Sequence, residues 1–349
     1  MIPEIKEKIS FEVIKTLVKR FELFPENSSN NRNAPFHEAF LKAFTHKLDS
    51  KVSNLAFFIS LSSWLHGLNT TLGQSFFEHV AHIISGGEKR EYTSKKLGNL
   101  QIKITQKEKI NQIVTDLSNN IKTPNVKEEN DSLFFNNEQD ESVNAIDFSA
   151  DVFFEDDKRI VAIELKTVKP NSGEMRGEKH KILERKTALS NKFSEKEILF
   201  YIGFPFDPTS NSPTGYNKQR FLKSIINMEK YFDPKETLIA SKLWDYLSGE
   251  ENTMENILSI INAISTTDFL EKYKFLNNTN NKSKLNIRYI NILKEWNLFS
   301  ELKLIENNDK IKSKINNQML RRIYNQKIFN STGKYNFDRF NKLNELLSY

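Results

Sequence analysis

Apolar residues recur at four-residue steps at the start of the chain, at Ile5, Ile9, Val13, Leu17 and Phe21, which is the spacing of one buried helix face. A second helix is predicted from Pro35, in PFHEAFLKAFTHKL, because proline is tolerated in a first helical turn. A third runs from about Thr70 to Ser85 and stops at Gly86-Gly87. Everything up to Ser85 therefore reads as helical. Between Asn119 and Asn144 the chain is polar and rich in Asn, Glu and Lys, which predicts a long loop or insertion.

The period then changes. ADVFFE (150–155) and RIVAIELKTVK (159–169) are β-branched and aromatic runs separated by Asp156, Asp157 and Lys158, a hairpin signal without the glycine of the commonest turns. Charged, helix-compatible sequence follows from Glu174 to Ala188. A third strand is predicted at 197–204 (EILFYIGF), running into the turn-rich PFDPTSNSPTG. From Lys218 onward the pattern is helical again, with asparagine-rich connections near 277–284, and no internal repeat is visible.

Composition narrows the chemistry. There is no cysteine, so disulfides, thiolate metal sites and cysteine nucleophiles are excluded, and a cytoplasmic address is expected. The formal net charge of +6 suits a polyanionic partner without identifying one. The N-terminus mixes charge into its apolar pattern and does not read as a signal peptide, and the most apolar stretch, Leu55 to Leu68, is too short and polar to cross a bilayer. No GxxxxGK[ST] loop or G-x-S-x-G elbow occurs, and Glu78-His79-x-x-His82 is not a recognised zinc permutation.

The hairpin carries the candidate chemistry. With its turn centred on Asp157 and Lys158, Asp151 pairs across the strands with Glu164, and Glu164 and Lys166 share a strand face. Opposed residues lie about 5 Å apart. Two carboxylates and a lysine thus converge on a patch the size of a metal ion and a phosphate. The flanking Val152, Phe154, Val161, Ile163 and Leu165 are apolar, so these charges need partners or a metal to offset desolvation. Magnesium takes hard oxygen ligands from one or two carboxylates plus a phosphate. Lys166 then orients or deprotonates a water, or stabilises charge on the phosphate. A half-exposed hairpin with surface ion pairs is the ordinary alternative. Asp147 lies on the same strand face as Asp151 and rivals it as the first acid; Asp151 is favoured because VFF follows it directly.

The segment D-x(12)-E-L-K resembles the PD-(D/E)xK nuclease signature, with Ala150 where a proline often precedes the first acid. The stretches TLGQSFFEHVAHII, AIELKTVKPNSGEMRG and YIGFPFDPTS resemble three blocks of the TdeIII family of type II restriction endonucleases, most clearly from about Leu61 to Gly215. The resemblance implies Mg²⁺-dependent cleavage of both strands of duplex DNA at a short palindrome of the GGNCC kind. It also implies that Asp151 and Glu164 hold the metal, and that Glu78, on the polar side of the third helix, supplies a further acid; a solvated glutamate is the alternative there. Among the basic residues that follow, Lys169, Arg176, Lys179, Lys181, Arg185 and Lys186, the resembling block extends through Lys169 and Arg176. These two, with Lys179, are candidate phosphate contacts, against the alternative of a solvated helix surface.

The expected organisation is an α/β protein with a mixed central sheet. Residues 1–87 form a helical region packing on the core, 88–217 the catalytic nuclease core, and 218–349 a mainly helical region. A symmetric target favours a homodimer, and a cognate DNA methyltransferase is the expected genetic partner. A repair or recombination nuclease of the same fold, or an inactive DNA-binding protein, are the rival readings.

Overall fold

The computed structural model describes residues 1–26, 35–48, 51–52, 54–135, 140–167, 174–283 and 285–347. Within them the strand-forming runs build one mixed five-stranded sheet. In chain order the strands are β1 (Glu88–Tyr92), β2 (Gln101–Lys103), β3 (Ser142–Asn144), β4 (Phe148–Glu155), β5 (Arg159–Leu165), β6 (Glu197–Phe204) and β7 (Thr237–Ile239). The sheet order is β1-β4-β5-β6-β7, and β2 pairs with β3 in a separate two-stranded ladder. β1, β4 and β5 are antiparallel neighbours, while β5, β6 and β7 run parallel. The centre of β5 is apolar, with Ile160, Val161, Ala162 and Ile163 all buried, as a strand covered on both faces requires. The predicted hairpin and the predicted strand at 197–204 both form.

The chain divides into two compact units, Phe77–Asn256 and a second that joins Met1–Phe76 to Ile257–Tyr349. The five-stranded sheet lies wholly in the first. That unit runs past residue 217, because Thr237–Ile239 adds a fully buried parallel strand beside β6. Three residues are too few to show a period, which is why the sequence pattern from Lys218 reads as helix alone. The polar stretch 119–144 is also more ordered than a loop. Asn125 caps a helix, Val126–Leu133, by accepting the N–H groups of Lys127 and Glu128, and the helix buries Leu133 and Glu129. Residues 136–139 of that stretch lie outside the described residues.

In the second unit the first helix spans Pro3–Glu22. Ile9 and Val13 of the expected stripe are buried, but Phe21 is exposed, and Phe11, Ile14 and Val18 are buried instead. A row taken at strict four-residue steps drifts by about 40° per step around a 3.6-residue helix, so it turns off the core within four steps. The apolar segment from Leu55 is a helix, Leu55–Thr71, capped by Asn54 and continuing through a wider π turn at Leu72–Phe76 into helix Phe77–Ser85. No helix among the described residues is long and apolar enough to cross a membrane.

Candidate active site

The hairpin that carries the acids is fixed at its turn. Asp156 Oδ1 accepts the N–H groups of Lys158 and Arg159, and Asp156 N donates to Arg159 O at 3.0 Å. An aspartate closing the turn with its own side chain does the work that glycine does in tighter hairpins. The register runs Glu155↔Ile160 to Val152↔Ile163, and one further step sets Asp151 opposite Glu164. Leu165 N donates to Asp151 Oδ2 at 2.8 Å, so the carboxylate itself closes the ladder at this point. Beyond it, Lys166 N donates to Gly203 O at 2.8 Å. Gly203 fits closely here: a Cβ on it would stand 2.9 Å from both Ile163 Cγ2 and Leu165 Cδ2, so a side chain would force these neighbours to shift at the site.

A bulge aims the edge strand at the same place. Glu88 pairs with Phe153 and Arg90 with Ala150, so the single Lys89 of β1 faces two residues of β4, Asp151 and Val152. Lys89 Nζ lies 3.7 Å from Asp151 Oδ1 and 3.4 Å from Glu78 Oε2. Helix Phe77–Ser85 docks through His82, whose Nε2 meets the Asp151 carbonyl oxygen at 2.6 Å. His82 is therefore a structural tie, and one turn earlier on the same face Glu78 joins the acids through Lys89.

The lysine of the triplet is held between carboxylates. Lys166 Nζ lies 3.1 Å from Glu164 Oε1 and 3.3 Å from Glu178 Oε2. Arg185 Nη1 approaches Glu164 Oε2 at 3.5 Å. Burial, reinforced by the Asp151 charge and only partly offset by Lys166 and Arg185, pushes the Glu164 carboxyl above its ordinary pKa. Burial works against the Lys166 ammonium, yet Glu164 and Glu178 outweigh it, and the lysine titrates above its ordinary value. Burial likewise opposes the Glu178 charge, but Lys166 and Lys181 prevail and its pKa is lowered.

Asp151, Glu164, Lys166 and Glu78 are thus brought together, with Lys89, Glu178 and Arg185 as additional members. Asp147 stands four residues upstream, where Asn99 Nδ2 donates to its Oδ1 at 2.8 Å. Arg176 is exposed near the start of helix Glu174–Lys192, and Lys169 lies outside the described residues. Lys179 corrects its sequence assignment as a phosphate contact. It is fully buried, with Nζ 2.6 Å from Glu129 Oε2 and 2.8 Å from Glu236 Oε2. Lys186, two turns along the same helix, is buried 3.6 and 3.7 Å from the same two carboxylates. Two lysines facing two glutamates form a closed, neutral knot with no face for DNA. Breaking a buried pair from one side typically costs about 3–5 kcal/mol. Lys179→Met is therefore expected to lower the urea midpoint sharply. An unchanged midpoint with weakened DNA binding would return Lys179 to the DNA surface.

No three acidic or histidine side chains among the described residues converge closely enough to cage a metal ion unaided. The site offers instead two opposed carboxylates and a cation held in place.

The family model for type II restriction endonuclease HinfI matches residues 1–265 of the chain. A curated relative, the type II restriction enzyme MjaII of Methanocaldococcus jannaschii, is 44% identical over 360 aligned positions, covering 97% of this chain and 96% of its own. No solved structure matches the chain. The protein is therefore a type II restriction endonuclease, a site-specific nuclease acting on DNA. Within that class it belongs to the HinfI family. The expectation drawn from the TdeIII-like blocks stands at the level of the class; the matching model is that of HinfI.

Proposed function

We propose that this endonuclease hydrolyses both strands of duplex DNA at a short palindrome in the PD-(D/E)xK manner, with Asp151 and Glu164 as metal ligands and Lys166 beside the scissile phosphate. The supporting observation is the hairpin register, which carries Asp151 to a position opposite Glu164, whose Oε1 lies 3.1 Å from Lys166 Nζ. The donor set suits Mg²⁺. Magnesium is ordinarily held by one or two carboxylates together with substrate phosphate and water, not by an all-protein cage. Glu164, whose charge is disfavoured by burial and by Asp151, would be stabilised by a bound cation. When bound, Mg²⁺ polarises a phosphoryl oxygen and lowers the pKa of a water.

The chain's own residues do the rest. Asp151 is anchored through Oδ2 by the Leu165 N–H, which leaves Oδ1 turned toward Lys89. Lys89 balances Asp151 and Glu78 while no divalent cation is present. Lys166, kept protonated by Glu164 and Glu178, orients the attacking water and offsets charge accumulating on the phosphate. Glu78 is a further acid of the site, and Lys169 and Arg176 contact the DNA backbone. The enzyme works in the cytoplasm as a homodimer matching a two-fold target, beside a cognate methyltransferase. The GGNCC form of the target rests on the TdeIII resemblance alone.

Digestion of DNA of known sequence tests both the specificity and the first acid. Wild-type enzyme is expected to give discrete fragments whose ends share one palindrome. Asp151→Asn is expected to lose at least about a hundredfold in rate, on the scale of losing one transition-state contact, while Asp147→Asn keeps cutting. Random fragmentation would overturn the site-specific reading. An active Asp151 variant with an inactive Asp147 variant would transfer the first-acid role.

A further inference from the structure

The positive charge of the chain is not where the acids of the site are. Residues 77–256 carry 26 Lys and Arg against 30 Asp and Glu, a formal net charge of −4, although they contain the proposed site. Residues 257–349 carry 16 against 8, a net charge of +8. Within that segment, residues 310–334 hold seven cations and no acid. A nuclease must neutralise a row of phosphates, and the sheet unit carries no net surplus of cations for it beyond local contacts.

The acid-free stretch sits on a small, ordered lobe. Leu304, Ile311 and Leu343 form its core, and Ile323, Tyr324 and Phe340 pack against them. Helix Gln318–Tyr324 is capped by Asn317 and has no fully buried residue. It is nonetheless fixed, because Ile323 and Tyr324 face the core and Tyr324 Oη donates to Asn308 Oδ1 at 2.6 Å. Its other side presents Gln318, Met319, Arg321 and Arg322, with Met319 66% exposed. Two of the seven cations are used structurally: Lys310 and Lys314 donate to the carbonyls of Leu347 and Leu346 at 2.9 Å. Lys312, Arg321, Arg322 and Lys327 are exposed and form no ion pair among the described residues. A surface of cations left without counter-charge, held on a rigid support, is unfavourable in isolation and is suited to a polyanion.

We propose that this C-terminal lobe is a DNA-backbone clamp, in which Arg321 and Arg322, with Lys312 and Lys327, contact phosphates of the duplex and set affinity without reading bases. The inference goes beyond the catalytic reading and does not depend on which acid holds the metal. It also lies beyond residue 265, where the HinfI family model ends, in a part of the chain that the alignment with MjaII nonetheless covers.

The test is a gel-shift titration of the full-length protein with Ca²⁺ on a cognate duplex across a salt series, paired with single-turnover cleavage in Mg²⁺ at saturating enzyme. Each lost phosphate contact lowers the log–log salt slope by about 0.9. The pair Arg321→Ala/Arg322→Ala is expected to flatten the slope by about two, to weaken binding about tenfold or more, and to leave the saturated cleavage rate unchanged. The pair Arg321→Lys/Arg322→Lys keeps the charge and is expected to retain most of the affinity. An unchanged slope and affinity in the alanine pair would overturn the clamp, as would an equal loss in the lysine pair, which would indicate geometry-specific contacts. Loss of cleavage at saturation with binding intact would likewise place the arginines outside a clamp role. A failure of the catalytic assignment is read separately, because it appears in the chemical step of variants at Asp151, Glu164 and Lys166.

Discussion

Glu164→Gln and Lys166→Ala are each expected to reduce cleavage by a thousandfold or more, roughly the scale of losing a contact made to the reacting phosphate, while duplex binding persists. The Glu164 variant separates function from structure. Its carboxyl titrates above the ordinary range because burial, with help from Asp151, disfavours the charge. A raised folded-state pKa means that the protonated form is favoured by folding. The stabilisation is present at low pH and is lost as pH rises through the folded value. Above its folded pKa the ionised Glu164 therefore weakens the fold, and glutamine removes that cost. Glu164→Gln is expected to melt no lower than wild type at neutral pH, with any gain vanishing below the ordinary carboxylate pKa. A structural glutamate would give the opposite result, a lower melting temperature with activity falling in proportion. Lys166→Ala leaves Glu164 and Glu178 without their shared cation, so its stability is expected to fall as well. For that variant the decisive readout is the rate at saturating enzyme and DNA. Wild-type cutting by Lys166→Ala would sink the site assignment.

The hairpin was legible because two independent signals agree there. The β-branched runs predict strands, and the polar interruption Asp156-Asp157-Lys158 predicts where they turn; together they fix the register that sets Asp151 against Glu164. Strand β1 was not legible, since EKREY carries four charges in five residues and forms only because β4 offers an edge. Lys89 was hidden with it. Helix Glu174–Lys192 shows a different limit. Glu178 and Arg185 are seven residues apart, two turns along one face, and both reach the site. Lys179 and Lys186 have the same spacing one residue later and point into the core, where Glu129 and Glu236 meet them. One residue of helical rotation, about 100°, separates a site face from a buried ionic knot. The sequence of this helix has no apolar stripe strong enough to set that rotation. Glu129 and Glu236, the partners that would have revealed it, lie 50 and 57 residues away.

Removal of divalent metal is expected to silence cleavage completely, and the reason lies in the charges that face each other across the hairpin. Asp151 and Glu164 stand opposed, and a DNA phosphate arriving beside them adds a third negative group. At contact distances such repulsion amounts to several kcal/mol in a partly desolvated site. Lys89 and Lys166 offset part of it, but each is shared with a second carboxylate, Glu78 and Glu178 respectively. The local count is four carboxylates against four cations, Lys89, Lys166, Lys181 and Arg185, which leaves no positive surplus for an arriving phosphate. A divalent cation is needed to admit the phosphate at bonding distance. Cleavage is therefore expected to be absent in EDTA and restored by Mg²⁺. Calcium takes the same oxygen ligands with longer, looser coordination, so it is expected to support cognate binding with little hydrolysis. One duplex carrying the target, assayed by gel shift and by cleavage in EDTA, Ca²⁺ and Mg²⁺, measures both. Specific binding should tighten from EDTA to Ca²⁺, and the tightening should disappear in Asp151→Asn, where the opposed charge is gone. Full cleavage in EDTA, or a calcium effect that survives in Asp151→Asn, would show that the two carboxylates are not the metal ligands.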